Sequence, residues 1–246
     1  MRCWKTKENK EESEEKKIDE IKMIKDDDEK INTIQGIFED SVVLEDANER
    51  AIFVTKSPLF CCVSHITDHL LLSSATAADP SALEYFKITC VMNAAAELPD
   101  TPMRNPSTKY FKISIYDNTT ADILSHLDYT SDTIHKESVN NGRVLVHCVA
   151  GISRSATICI AYLMKYQNKN LLEAYKLVKA RRPIIKPNCG FFRQLIAYEK
   201  SLFGTNTVKM VYNDTVKMEI PDVYNDDYKN ILHFRRKRTN DMVRRH

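Results

Sequence analysis

One stretch constrains the fold of this chain more than any other: "RVLVHCVAGISRSATICIAYLMKY", residues 143–166. Its first part, "RVLVHC", is a short β-rich apolar run suited to a central strand buried on both sides. Its second part reads as an apolar helix that begins near Ser153. A strand that runs straight into a helix is half of a parallel crossover. The chain around it is therefore expected to alternate strands and helices as an α/β fold, with a mostly parallel central sheet flanked by helices.

The turn between them carries the chemistry. Five residues, Val149, Ala150, Gly151, Ile152 and Ser153, separate Cys148 from Arg154. A loop of this length can wrap so that successive backbone N–H groups point at one centre, an anion nest at the positive end of the helix dipole. Gly151 permits the backbone conformations such a wrap needs. Arg154, in the first helical turn, can grip two oxygens of a tetrahedral anion in a bidentate fork. Thiols at helix N-termini and beside arginine ionise more readily than a free cysteine, so Cys148 is expected as a thiolate facing a site built for phosphate. A thiolate and an oxyanion cradle in one turn are what is needed to move a phosphoryl group onto sulfur. The Ser155 hydroxyl can donate toward the sulfur and stabilise it as a leaving group. His147, at the strand end behind the nucleophile, is placed to order the loop rather than to touch substrate.

Phosphoryl transfer also needs an acid for the leaving oxygen and later a base for water. The predicted strand "KYFKISI" (109–115) ends at "YDNTTAD", which offers Asp117 and Asp122. Asp122 sits where the next helix begins and reads as its cap. Asp117, directly after the strand, is the expected acid.

The rest of the chain fits alternating elements. "HITDHLLLS" (65–73) and "KITCVMNA" (87–94) read as strands, with "DPSALEYF" a short helix between them that is capped by Asp79 and opened by Pro80. From Asp122 to about Ser138, Ile123, Leu127, Thr130 and Ile134 share one helical face. "NLLEAYKLVKARRP" is a helix that stops at Pro183, and "NCGFFRQLIAYEKSLFG" one that runs from an Asn188 cap to a Gly204 stop. After Gly204 the pattern becomes less periodic and ends in the basic "FRRKRTNDMVRRH". The expected organisation is a charged N-terminal extension (1–56), a catalytic domain (57–205) and a C-terminal extension with a basic tail (206–246).

Composition bounds the function classes. A formal net charge of +2 over 246 residues gives the whole chain no electrostatic address for nucleic acid. No apolar run reaches the roughly 18–20 residues of a membrane helix, and the N-terminus has no apolar signal core. Seven cysteines without paired spacing point to a reducing compartment and free thiols. The cytoplasm is the expected location, with the nucleus open to it because "RRKR" reads as a nuclear address, a docking patch or a solvated terminus. The segment 5–30, rich in Lys, Glu and Asp, is expected to be disordered or loosely helical. His65 and His69, four apart on a strand, would stand about 13 Å from each other, too far for one metal ion. No metal and no cofactor is expected. Cys159 reads as a packed core residue. Cys90 is either another or a thiol that protects Cys148 through a reversible disulfide.

"HCVAGISRSAT" resembles the signature of cysteine-dependent protein phosphatases, and its "AGISRS" form the dual-specificity branch. The similarity extends through "SHITDHLLLSSATAA", "ITCVMNAAAELP", "LLEAYKLVKARRPIIKPNCGFFRQLIAYEKSLFG", "TVKMV" and "PDVY", roughly residues 60–230, where the chain looks like a small atypical dual-specificity phosphatase. The resemblance implies a phosphatase fold as a single domain with tails. It also implies Cys148 as nucleophile, Arg154 as phosphate clamp and Asp117 as general acid, at close to the family's usual separation from the cysteine, with no need for metal. Asn188 matches a family position near the catalytic loop, and a helix cap explains it equally well. The segment "YDNTTAD" matches less closely than its flanks. A shallow pocket for phosphotyrosine and phosphoserine or phosphothreonine follows from the resemblance, with phosphorylated proteins, signalling kinases among them, as expected partners. The uncharged Val149, Ala150, Ile152 and Ser153 favour a single phosphate on a protein over a highly anionic inositol lipid. Two other readings use a similar loop: a phosphoprotein-binding module with little turnover, and a rhodanese-like sulfurtransferase or arsenate reductase. The late position of the cysteine and the upstream carboxylate disfavour the last pair.

Overall fold

The alternation of short apolar runs with amphipathic segments folds as a five-stranded sheet between two helical layers. A computed structural model describes residues 62–228. Its strands are β1 (Ser64–His65), β2 (Leu70–Ser74), β3 (Cys90–Asn93), β4 (Lys109–Lys112) and β5 (Val144–Cys148), in the spatial order β1-β2-β5-β3-β4. β2, β5, β3 and β4 run parallel and only β1 is antiparallel. The fold is thus the expected α/β architecture with a mostly parallel central sheet flanked by helices. β5 is central, with Leu71 and Val91 both level with Leu145, and all five of its residues are buried.

The helices are α1 (Pro80–Tyr85), α2 (Leu124–Val139), α3 (Arg154–Gln167), α4 (Leu171–Arg181) and α5 (Cys189–Phe203). Alternate strand residues face opposite sides. Leu70, Leu72, Met92, Val144 and Val146 join the main core with α3, while Leu71, Val91 and Leu145 pack with Leu83 of α1 in a smaller cluster. α3 is apolar around most of its surface, and Ile158, Cys159, Ile160, Leu163 and Met164 are all buried; a helix of that character belongs at the centre of a layer. Asp79 caps α1 through the Ser81 and Ala82 amides, and Pro80 opens it. The expected face of α2 is the buried one: Ile123, Leu127, Thr130 and Ile134 have no solvent exposure. α2 starts two residues beyond Asp122, whose Oδ1 accepts the Ser125 amide at 3.1 Å. Gln194 of α5 takes the Ile123 and Leu124 amides from across the fold.

Two expectations change. The single strand read over 65–73 is a hairpin, with residues 66–69 forming the bend between β1 and β2. Thr67 Oγ1 accepts the His69 and Leu70 amides, offering the backbone an alternative to the ladder. His65 and His69 therefore share no strand face; His69 Nδ1 pairs with the Gly142 carbonyl at 2.8 Å. No cluster of three metal-ligating side chains exists among the described residues. The stretch after Gly204 is also more regular than its pattern. β6 (Met210–Asn213) and β7 (Met218–Pro221) form an antiparallel hairpin, followed by a short 3₁₀ turn (Asp222–Tyr224). Val208, Ile220 and Tyr224 bury into the main core. The charged segment 5–30 and the basic C-terminus lie outside the described residues.

Register also decides the role of Cys90. It sits at the start of β3 level with Val144, four residues and about 13 Å back along β5 from Cys148. A disulfide between the two would need the strands to slide. Cys90 is a core thiol, and burial pushes its pKa up to about 12.

Candidate active site

At the carboxyl end of β5 the chain turns through residues 149–153 and enters α3 at Arg154. Gly151 makes the turn in the left-handed region, at φ 68°. A Cβ there would stand 2.5 Å from the Ser73 carbonyl oxygen and 2.8 Å from Arg182 Nη2, so neither the conformation nor the space admits a side chain.

Every carbonyl of the turn is held from outside. The Ala75 amide donates to Val149 O at 3.0 Å, and the Lys186 amide to Ile152 O at 3.0 Å. Arg182 donates to Ala150 O at 3.2 Å and to Gly151 O at 2.8 Å. Thr157 donates to Ser153 O through its amide and its hydroxyl. A peptide plane carries its C=O and N–H on opposite edges, so carbonyls turned outward leave amides turned inward. The N–H groups of Val149, Ala150, Ile152 and Ser153 have no acceptor among the described residues. They form a concave set of donors at a helix N-terminus, which is an anion site.

Cys148 Sγ lies at the floor of this cradle, 1 % exposed. It accepts from the Gly151 amide at 3.3 Å and from the Ser155 hydroxyl at 3.2 Å. Arg154, 3 % exposed, is fixed by one end only. Its Nη1 donates to Glu97 Oε2 at 2.7 Å and to the Ile115 carbonyl at 3.0 Å. Its Nε is buried without a hydrogen-bond partner among the described residues. Burial opposes the guanidinium charge, but the bond to Glu97 and the nearby Cys148 and Asp117 outweigh it and raise the pKa. The same bond to Arg154 is the main reason the Glu97 carboxyl lies below its ordinary range.

Asp117 leans over the cradle from the loop after β4. Its Oδ1 accepts from Ser153 Oγ and from Asn188 Nδ2, each at 2.8 Å, and its Oδ2 stands 3.7 Å from Arg154 Nε. Asn188 caps α5 through the Phe191 amide and at the same time steadies Asp117. One side chain thus makes both the cap and the contact with Asp117. His147 points away from the sulfur: Nε2 meets Thr101 Oγ1 at 2.7 Å, and burial lowers the imidazole pKa to about 4.

The fold thus gathers Cys148, residues 149–153, Arg154, Ser155, Asp117 and Asn188 at one point, with His147 behind. Two residues escaped the reading of the sequence. Glu97 follows β3 as Asp117 follows β4, and the rule that a carboxylate beyond a parallel strand faces the site would have found it. Arg182 has no such signal, since its neighbour Arg181 looks the same in sequence.

The family described as "Dual specificity phosphatase, catalytic domain" matches residues 70–201. Dual specificity protein phosphatase 14 of Bos taurus is 47 % identical over 171 residues, which cover 69 % of this chain and 84 % of that protein. Human dual specificity protein phosphatase 21 is 40 % identical over 178 residues, covering 72 % of this chain and 92 % of the relative. Among solved structures, human DUSP28 superposes with a TM-score of 0.54 at 33 % identity, over 57 % of this chain and 94 % of that one. A mouse protein described as a dual specificity phosphatase, complexed with zinc tungstate, gives a TM-score of 0.57 at 30 % identity, over 67 % and 96 % of the two chains.

Proposed function

This chain belongs to the dual specificity phosphatase family and is a protein phosphatase, and from that premise we propose how its residues divide the work. The Cys148 thiolate attacks phosphorus in line with the ester bond. The P–O bond breaks as the S–P bond forms, and Asp117, when protonated, gives its proton to the departing oxygen. The Asp117 carboxylate then takes a proton from water, the hydroxide attacks phosphorus, and the S–P bond breaks to return the thiolate and release phosphate. The inward amides and Arg154 hold the equatorial oxygens throughout, where charge is spread in the transition state. Ser155 donates to the sulfur as it leaves.

The single observation that carries this reading is Arg154 Nε, a buried donor with no partner among the described residues, beside four amides with none there either. Buried polar groups in folded proteins are almost always bonded. A set left unsatisfied around one thiol is prepared for a tetrahedral anion. Asp117 stands within an ion-pair distance of that Nε, which puts acid and clamp on one ligand. Val149 and Tyr116, exposed beside Cys148 and Asp117 in the chain, supply an apolar lip for the substrate side chain. The cradle adds no Lys or second Arg within residues 149–153, which fits one phosphate on a phosphotyrosine, phosphoserine or phosphothreonine of a protein, signalling kinases included. We take the catalytic unit as residues 57–205.

Hydrolysis of para-nitrophenyl phosphate by three proteins tests the assignment. Cys148→Ser is expected to lose turnover while still binding phosphate. Asp117→Ala is expected to slow turnover by about 10²-fold or more, and acid quench of the wild type to yield phosphocysteine. A wild type no faster than Cys148→Ser would refute the mechanism and leave a phosphoprotein-binding module.

A further inference from the structure

Arg182 is completely buried, and no carboxylate pairs with it among the described residues. A buried cation without a counter-charge is costly, so its surroundings show what it is kept for. Nε donates to Gly151 O at 2.8 Å and Nη2 to Ala150 O at 3.2 Å. Nη1 donates to Cys62 O at 3.0 Å and Ser64 Oγ at 3.3 Å. One planar fork therefore joins the back of the cradle to the segment leading into β1. Nη2 is also one of the atoms that a Cβ at Gly151 would meet.

The consequence follows from peptide geometry. The plane that carries Ala150 O also carries the Gly151 N–H, and the plane that carries Gly151 O also carries the Ile152 N–H. Holding those two oxygens outside aims those two amides inward: one meets Cys148 Sγ at 3.3 Å and the other is among the partnerless donors. The guanidinium charge, which no carboxylate of the described residues pairs, also acts on the sulfur. Burial lowers the Arg182 pKa from its ordinary value, and Cys62 and Cys148 act in the opposite sense. Arg154 faces the substrate; Arg182 lies behind the loop.

We propose that Arg182 is a positioning residue for phosphoryl transfer, one that sets the aim of the Gly151 and Ile152 amides around Cys148 without touching substrate. The inference rests on the reading of residues 148–154 as a phosphate cradle.

The full-length enzyme and its Arg182→Met and Arg182→Lys variants separate this role from mere support of the fold. Three measurements are made on each: kcat and KM with para-nitrophenyl phosphate, inhibition by inorganic phosphate, and the thermal melt. For folded Arg182→Met we expect kcat about 10²-fold lower and phosphate inhibition weakened about 10-fold. Arg182→Lys keeps the charge but not the fork, so both losses persist in it. Unchanged phosphate inhibition, with activity that only tracks the folded fraction, overturns the proposal, as does full recovery of both quantities in Arg182→Lys. So does failure of both variants to fold at the assay temperature. A wild type that neither hydrolyses the ester nor binds phosphate instead refutes the cradle reading, and the inference falls with it.

Discussion

Cys148 Sγ receives two hydrogen bonds of different origin. The one from the Gly151 amide is made by the backbone of the turn; the one from Ser155 Oγ at 3.2 Å is lost with that side chain. In the proposed cycle the sulfur carries full negative charge at the start and at the end, and covalent phosphorus between. A donor to the sulfur therefore helps most when the S–P bond breaks. A hydrogen bond to a charged group contributes about 1.5–3 kcal/mol. Ser155→Ala is expected to slow hydrolysis of the phosphocysteine by about 10-fold or more while sparing the first step. Rapid-quench kinetics would then show a burst of para-nitrophenol near one equivalent of enzyme. Equal slowing of both steps, with no burst, would contradict the role given to Ser155.

The element that matters most to the acid is α5, although it contributes none of the reacting groups. Its first turn abuts the loop that carries Asp117. Asn188 donates to Asp117 Oδ1 and to the Asn118 carbonyl, and a Cβ on Gly190 would lie 1.9 Å from the Thr119 carbonyl oxygen. The contact is backbone against backbone, with no flexible side chain to yield. Gly190→Ala should push the acid loop outward and leave the cradle between β5 and α3 intact. Displacements of about 1 Å cost on the order of 10²-fold in rate. The expected outcome is a kcat lowered by about that factor with inhibition by inorganic phosphate unchanged. If both worsen together, the loop and the cradle are not the separable elements described. Asn188→Ala acts at the same joint, and losing the cap should cost about 1 kcal/mol of stability in denaturant melts.

At the scale of the whole molecule the buried His147 makes stability depend on acid. Its imidazole, bonded to Thr101 behind the nucleophile, has a pKa held at about 4 against an ordinary 6.5, chiefly by burial. Between those values the unfolded chain binds a proton that the folded chain refuses. The contribution is fully present above pH 6.5 and is lost as pH falls toward 4, about 3 kcal/mol in all. The carboxyls of Glu97, Asp122, Asp128 and Asp132 are also held below their ordinary range. Their favourable interactions are present above the ordinary carboxylate range and disappear as pH falls through the lowered values, which adds to acid lability in the same direction. Melting temperature should fall steadily from pH 7 to pH 4.5, and His147→Gln should flatten that slope. An equally steep slope in the variant would mean the histidine is not its source.

Local pattern alone determined the strand-to-helix turn at 148–154, because a buried apolar run, a glycine and a helix start are each written within a few residues. The same holds for the capped ends at Asp79 and Asn188, for the buried face of α2, and for Asp117 as the carboxylate beyond a strand. Tertiary structure decided whatever depends on residues far apart in the chain. The strand expected over 65–73 bends at residues 66–69, where His69 Nδ1 meets the Gly142 carbonyl, 73 residues away. Cys90 is separated from Cys148 by strand register, and register is not visible in a single strand. Arg181 is exposed and Arg182 is buried, although the two are adjacent and chemically identical. Only the approach of α4 to the back of the turn distinguishes them, since it brings two outward carbonyls within reach of one guanidinium and not the other.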